Sequence, residues 1–479
     1  MAQDTNSLKK LSLLGLAVLA ILFIGGIVAW QERLFFCDAS YIAYNILKYN
    51  RLFIQEHRYG SFITQVVPWL GGKLHLPVST IIKGYAFSFN LFYLCAGIIV
   101  YRCRQYGLLV LMALTYTLLV SDTYYWTNNE IQQALAWMFI FYAVILRMGE
   151  RGAKLAFLLP VFIALAGVTL YTHFIVIIPM SFLWVYFWLQ KDNWHWDLRT
   201  SVVLTACIAG IVATKFMVVN QVSYDAQHLH NVTHFSPRDV AHAVKAEVVK
   251  KFVKRMFAIY WVASLVFGAG LVALYFSKAY RLLAWVLVAC AGYIIIMGLT
   301  YTNESAGGEI FLFHIESEWA SLAVIIAVPF VFSLLPKLQS RYAFLILCLV
   351  FVVRLVYIGV SYPKFAWRTH FREQVLGQMQ KKEITKLGII ITGDIRKNYI
   401  LDWAMPEESI LMSAVHNEMP QRTFCLLDAW DTTLKKAMLD PRKVQLYYQP
   451  NNAGSSITQY FRQDSAHPYT FMTYEELMQ

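Results

Sequence analysis

The chain has 479 residues, 58% of them hydrophobic and only 15% charged, with a formal net charge of +12. Soluble domains carry about 25% charged residues and have no use for repeated apolar runs near the ~20 residues that span a bilayer, so composition excludes a single soluble core. The basic excess sits in short loops between those runs, which fits the cytoplasmic loops of membrane proteins and argues against nucleic acid as a partner.

The first apolar run, Leu11 to Trp30, follows Lys9 and Lys10. It is longer than the apolar region of a signal peptide and shows no small-x-small cleavage site, so it reads as an uncleaved first span. Hydropathy predicts about eleven spans in all, roughly 8–30, 79–101, 107–121, 131–147, 155–171, 174–190, 200–219, 256–276, 282–301, 319–335 and 342–362. Loops carrying Arg102 and Arg104, Arg147, Arg151 and Lys154, Lys191 and Arg199, Lys278 and Arg281, and Lys337 and Arg341 alternate with loops 122–130, 172–173 and 302–318, which hold no Lys or Arg. The positive-inside rule then predicts a cytoplasmic N-terminus and, with an odd count, a tail on the opposite face. The expected location is a plasma (inner) membrane of a bacterial envelope. Seven scattered cysteines form no CxxC or zinc spacing and read as packing residues.

Three longer stretches fall on the predicted outer side. In 31–78, Tyr41, Tyr44, Leu47, Phe62, Val66, Trp69 and Leu70 recur at helical spacing, which predicts interfacial helices lying along the membrane. In 220–255, His228, His230 and His234 precede Lys245, Lys250, Lys251, Lys254 and Arg255. That stretch predicts a basic amphipathic segment suited to anionic headgroups, and the three histidines are a weak zinc candidate. In the tail, β-like runs at Gly388 to Thr392, Arg422 to Leu427 and Val444 to Tyr448 surround a helical segment from Thr432 to Leu439, which predicts a small α/β domain. The expected architecture is an all-α polytopic membrane region, 1–362, followed by an outer α/β domain, 363–479.

Two acids stand out. Asp38, in Phe36-Cys37-Asp38-Ala39-Ser40-Tyr41, lies just beyond the first span and is also a plausible helix cap. Glu130 ends the run Asp122-Thr-Tyr-Tyr-Trp-Thr-Asn-Asn-Glu130 and also complements a helix N-terminus. Cations within or beside spans are costly and point to function. Lys215 and Arg354 are the strongest of these, while His57, Arg58 and Lys83 stand at the interface. Snorkelling is the alternative for Lys215, and pairing with a carboxylate for Arg354. The acidic loop from Asn303 to Glu318, with His173, His314 and Glu316, ranks lower.

One acid after the first span and a second after the third resembles the GT-C superfamily of integral membrane glycosyltransferases, which includes dolichyl-phosphate-mannose, oligosaccharyl and aminoarabinose transferases. The resemblance covers about residues 1–200 through the Asp-x-x-Tyr motif of Asp38 and Tyr41, the interfacial helices and Glu130. Beyond that it is one of architecture. The chain departs from the pattern in lacking an Asp-x-Asp pair, in having Glu130 where many members have Asp, and in lacking the Trp-Trp-Asp motif of oligosaccharyltransferases. The resemblance implies an inverting hexosyl- or pentosyltransferase that takes sugar from a polyprenyl-phosphate donor to a glycan, lipid or protein acceptor at the extracytoplasmic face. Asp38 would be the general base and Glu130 a second acid that orients the acceptor or supports a metal. Lys215, Arg354, Arg58, Lys83, Arg255, His57 and Tyr41 are the substrate-binding candidates. A divalent metal is the one cofactor admitted, with His228, His230 and His234 as weak ligands. A polysaccharide polymerase or ligase, and a lipid or glycan transporter, are the competing readings.

Overall fold

The computed structural model describes residues 5–128, 130–190, 194–218, 226, 232, 234–301, 316–391, 395, 401–428, 432–446, 451–452 and 458–479. The chain is mostly helical. Among the described residues, seven helices are long and apolar enough to cross a membrane: Ser7–Val28, Val78–Arg102, Glu130–Glu150, Leu198–Val218, Tyr280–Thr300, Glu316–Lys337 and Ser340–Lys381. An eighth is added if Pro237–Ala258 and Trp261–Phe276, which meet at an 87° bend, are counted as one broken span. The other three predicted spans hold shorter apolar helices, Tyr106–Thr115, Leu155–Leu170 and Phe174–Gln190. The first of these rises about 15 Å at 1.5 Å per residue, half of a ~30 Å hydrocarbon core. The count of about eleven is therefore not confirmed, for reasons of length; each predicted run does contain a helix.

Helix α1 (Thr5–Val28) packs on α5 (Val78–Arg102) and α6 (Tyr106–Thr115). Between α1 and α5 the 31–78 stretch folds into α2 (Trp30–Leu34), α3 (Asp38–Tyr49) and α4 (Phe62–Lys73), as its helical spacing predicts. Helix α7 (Glu130–Glu150) lies against α5 and α8 (Leu155–Leu170), and α10 (Leu198–Val218) follows α9 (Ile177–Gln190) and packs on α8. The basic segment forms α11 (Pro237–Val244), closed by a Ser236–Asp239 capping box, and α12 (Glu247–Ala258). These precede α13 (Trp261–Phe276) and α14 (Tyr280–Thr300). Gly298 of α14 lets the Ala243 backbone come so close that any Cβ would collide with it, and Phe252 stacks on Trp319 with centroids 3.7 Å apart. Helix α15 (Leu322–Pro329) ends in a wide turn at Phe330–Leu334. Pro329 lacks the N–H that a regular helix requires and so favours that widening.

The last span, α16 (Ser340–Val360), continues with one break at Ser361 into α17 (Tyr362–Lys381). The boundary expected at 362/363 thus falls inside a nearly continuous helical rod. Beyond it lie β1 (Lys386–Ile390), α18 (Met405–Val415), β2 (Thr423–Leu427), α19 (Thr432–Met438), β3 (Lys443–Val444), β4 (Asn451–Asn452), β5 (Thr470–Thr473) and α20 (Tyr474–Met478). Strands β2, β1 and β5 form a parallel sheet in that order, and β3 pairs antiparallel with β4. The expected α/β unit is present. At Gly388 a Cβ would lie 2.7 Å from both Leu427 and Phe471, so only glycine fits the middle of β1.

This domain does not stand apart. Tyr44 packs on Phe461 at 4.9 Å between centroids, Gln463 Nε2 donates to the Tyr44 hydroxyl at 3.4 Å, and Tyr460 donates to the Gly72 carbonyl at 3.3 Å. One continuous hydrophobic core runs from the first span into the sheet.

Candidate active site

Asp38 opens α3 from a strained turn. Cys37 has φ of 43°, a conformation that costs a non-glycine residue about 1–3 kcal/mol and persists only where its surroundings enforce it. The enforcement comes from the far end of the chain. Glu408 of α18 accepts the Cys37 N–H at 2.7 Å and pairs with Arg368 at 2.7 Å and with Arg372. Both guanidinium groups also donate to the Phe35 carbonyl, Arg368 at 2.6 Å. Arg368 and Arg372 are four residues apart on α17, so they share one helix face. All three charged groups are buried. The sequence reading missed this triad, although the Arg-x-x-x-Arg spacing ahead of a buried acidic pair was a signal.

Cys37 occupies the N-cap position of α3 without a side-chain cap bond, and Asp38 is the first helical residue. The Asp38 carboxylate accepts from the Trp126 indole N–H at 2.8 Å. Glu130 begins α7 and pairs with Arg58 at 3.2 Å, while Asn128 Nδ2 donates to its other oxygen at 3.4 Å. Burial and then the charge of Glu130 push the Asp38 carboxyl up to about 7; the Trp126 bond and Arg58 oppose that rise. Asp38 nevertheless keeps part of its surface open. An acid in this state gains or loses a proton at neutral pH, the property required of a general base or acid.

Arg58 sits in a loop whose preceding residues, Glu56 and His57, both have positive φ. Lys215 fixes them. Its ammonium is buried and donates to the Glu56 and His57 carbonyls at 3.1 and 3.3 Å, with the Tyr171 ring 5.2 Å away. Lys215, named as a substrate-binding candidate, holds the loop that brings Arg58 to Glu130.

Arg354 also serves neighbouring backbone. Helix α6 ends at Thr115, and the carbonyls beyond a helix end need donors where water is scarce. Arg354 supplies them, donating to Thr117 O at 3.1 Å, Val120 O at 3.0 Å, Ser121 Oγ at 3.2 Å and Ile259 O at 2.6 Å. Glu316 secures the next residues, accepting from the Ser121 and Thr123 amides at 3.0 and 2.8 Å and from the Tyr260 hydroxyl. Asp122 pairs with Lys364 at 2.7 Å, Tyr124 donates to Leu22 O at 2.6 Å, and Tyr125 donates to Ile358 O at 3.2 Å. The loop is pinned at nearly every residue up to Trp126, which delivers its indole to Asp38.

Among the described residues, several buried polar atoms on the elements that carry the two acids lack a hydrogen-bond partner, including Nε of Arg58, Nε and Nη1 of Arg33, the hydroxyls of Tyr85, Tyr93 and Thr127, Asn128 Oδ1 and Gln133 Nε2. Tyr85 lies within the field of both acids, and Tyr93 within that of Glu130 and Arg33. Arg33 touches the Tyr124 ring at 4.5 Å and donates to Asn90 at 2.7 Å. Unmet buried polar groups cost about 1–3 kcal/mol each, so this set is suited to a polar, anionic guest. Arg33 is the cation that the sequence reading passed over.

Tyr41, on the same helix as Asp38, packs edge-on against Phe53 at 5.6 Å and Trp403 at 5.8 Å, and burial raises its phenol to about 12. The remaining candidates lie elsewhere. Lys83 is exposed and rests 5.2 Å from the Trp30 ring. His57 bonds the Tyr59 hydroxyl at 3.0 Å. Arg255 faces the Glu316–Tyr260 pair rather than Asp38. His234 is exposed, and His228, His230, His314 and most of the 303–318 loop lie outside the described residues. Among the described residues no three His, Cys, Asp or Glu side chains converge as metal ligands.

The pairing makes a prediction about pH. Replacing Glu130 with Gln removes a negative neighbour and lowers the proton affinity of Asp38, since a like charge disfavours ionisation. The pH at which an Asp38-dependent rate reaches half its maximum should fall below that of the native protein, as measured by a pH–rate profile of Glu130→Gln. An unchanged midpoint would separate the two acids.

No known family, curated protein or solved structure matches this chain.

Proposed function

We propose that the protein is a multi-pass membrane glycosyltransferase that moves a sugar from a polyprenyl-phosphate donor to an acceptor hydroxyl or amine. The observation that carries this reading is the meeting of Asp38 and Glu130, from loops 92 residues apart, around Arg58, with the Asp38 carboxyl held near pH 7. Asp38 takes the acceptor proton as the acceptor oxygen or nitrogen bonds to the anomeric carbon. The anomeric bond to the phosphate oxygen breaks, and the electron pair leaves with the phosphate. A single displacement inverts the configuration. Arg33, buried beside Asn90 and Tyr124, would be the cation that stabilises the departing phosphate. Glu130, fixed by Arg58, orients the acceptor, and Tyr41, Phe53 and Trp403 offer an aromatic wall to a sugar ring.

Both acids follow the outer ends of apolar helices, where the reactive head of a membrane-held donor would lie. The alternation of basic loops supports an assignment of that end, and of the C-terminal domain, to the extracytoplasmic side. The test is transfer of labelled sugar from a synthetic polyprenyl-phosphate donor by the full chain in proteoliposomes. A panel of common hexosyl and pentosyl donors should yield at least one that turns over. Failure of all of them, with labelled glycan instead appearing across the bilayer, would replace the enzyme with a transporter.

A further inference from the structure

At the end of the bundle remote from Asp38, a cavity of about 660 Å³ opens between α1 and α16, lined by Lys10, Leu13, Ser340, Arg341, Phe344 and Leu345. Lys10 lies about 27 Å before the end of α1 at 1.5 Å per residue, so the cavity and the carboxylates belong to opposite faces of a membrane. The volume falls within the roughly 300–1,000 Å³ of small-molecule sites. Its chemistry is divided. Lys10, Arg341 and the Ser340 hydroxyl supply hydrogen-bond donors and two positive charges, and no carboxylate is among the lining residues. Neither cation forms an ion pair among the described residues. The rest of the lining is Leu13, Phe344 and Leu345, all turned outward at 48%, 42% and 53% exposure. Outward apolar side chains on membrane-crossing helices face acyl chains.

We infer that this groove binds an anionic phospholipid, with the headgroup phosphate between Lys10 and Arg341 and an acyl chain along Leu13, Phe344 and Leu345. Charge complementarity selects the headgroup: a Lys or Arg near an anionic membrane surface contributes attraction that a zwitterionic lipid does not match. The apolar walls select a lipid over free phosphate, which would leave them uncovered. The site also joins two helices that matter for Asp38. Helix α1 leads into the turn that presents it, and α16 leads into the arginines that hold that turn. A lipid seated here clips both helices together at their far ends.

The test is native mass spectrometry of the full chain in detergent, titrated with phosphatidylglycerol or phosphatidylcholine. Phosphatidylglycerol should be retained at least about tenfold more tightly, and the Lys10→Gln/Arg341→Gln double variant should lose that preference. Leu345→Trp fills the groove while keeping both cations, and should also lose the bound lipid, which guards against a double variant that fails to fold. Equal retention of the two lipids by the native chain, full retention of phosphatidylglycerol by either folded variant, or displacement of the lipid by millimolar inorganic phosphate would overturn the assignment.

Discussion

Asp38→Asn should lower sugar transfer by about 10²–10⁴-fold, the range that a positioned general base contributes. The amide keeps the shape of the side chain and can still accept from Trp126, so thermal unfolding should change little and the loss should appear in kcat. The native rate should rise with pH through about 7, because only the carboxylate accepts a proton. The sign follows from burial and the charge of Glu130, which both favour the protonated acid, so the active form accumulates only above that pH. The variant should lose this dependence. A folded Asp38→Asn protein with the native rate would remove the base from the mechanism. If Arg255→Gln abolished activity in that case, the polymerase reading would gain.

The second large effect concerns stability. Glu408→Gln should destabilise the protein by about 3–5 kcal/mol, the cost of removing one partner from a buried ion pair. Two guanidinium groups would remain buried beside a single amide, and the Cys37 N–H would face a neutral acceptor. Thermal unfolding in detergent measures the first consequence, and limited proteolysis between α2 and α3 the second. Activity should fall as well, since the strained turn that aims Asp38 loses its enforcement. An unfolding midpoint within a degree of the native one would mean that the turn is held by other contacts.

Much of the frame is legible in the amino-acid order. Apolar runs become helices, the spacing of Tyr41, Tyr44 and Leu47 becomes α3, and two of the β-like runs of the tail become the paired strands β1 and β2. Asp38 and Glu130 could be picked out because each stands just beyond an apolar run, one after the first and one after the third. Long-range partners could not. Cys37 and Glu408 are 371 residues apart, and nothing local to either announces the other. The cost of a charge inside a span singled out Lys215 and Arg354 correctly as residues with a task. The task depends on which carbonyls neighbouring elements leave unsatisfied, and that is a property of the packed chain. Trp126 was visible as one aromatic among several in its loop. Only the pinning of Ser121, Thr123, Tyr124 and Tyr125 aims its N–H at Asp38.

The rod from Ser340 to Lys381 makes the membrane part and the tail inseparable in assembly. A polypeptide halted at residue 362 would retain each of its apolar helices and still lack Arg368, Arg372 and Glu408. The turn at Cys37 would then lack the groups that enforce it. During synthesis, Asp38 emerges early and waits for more than three hundred further residues before its geometry is set. The candidate site is therefore one of the last features of the molecule to mature.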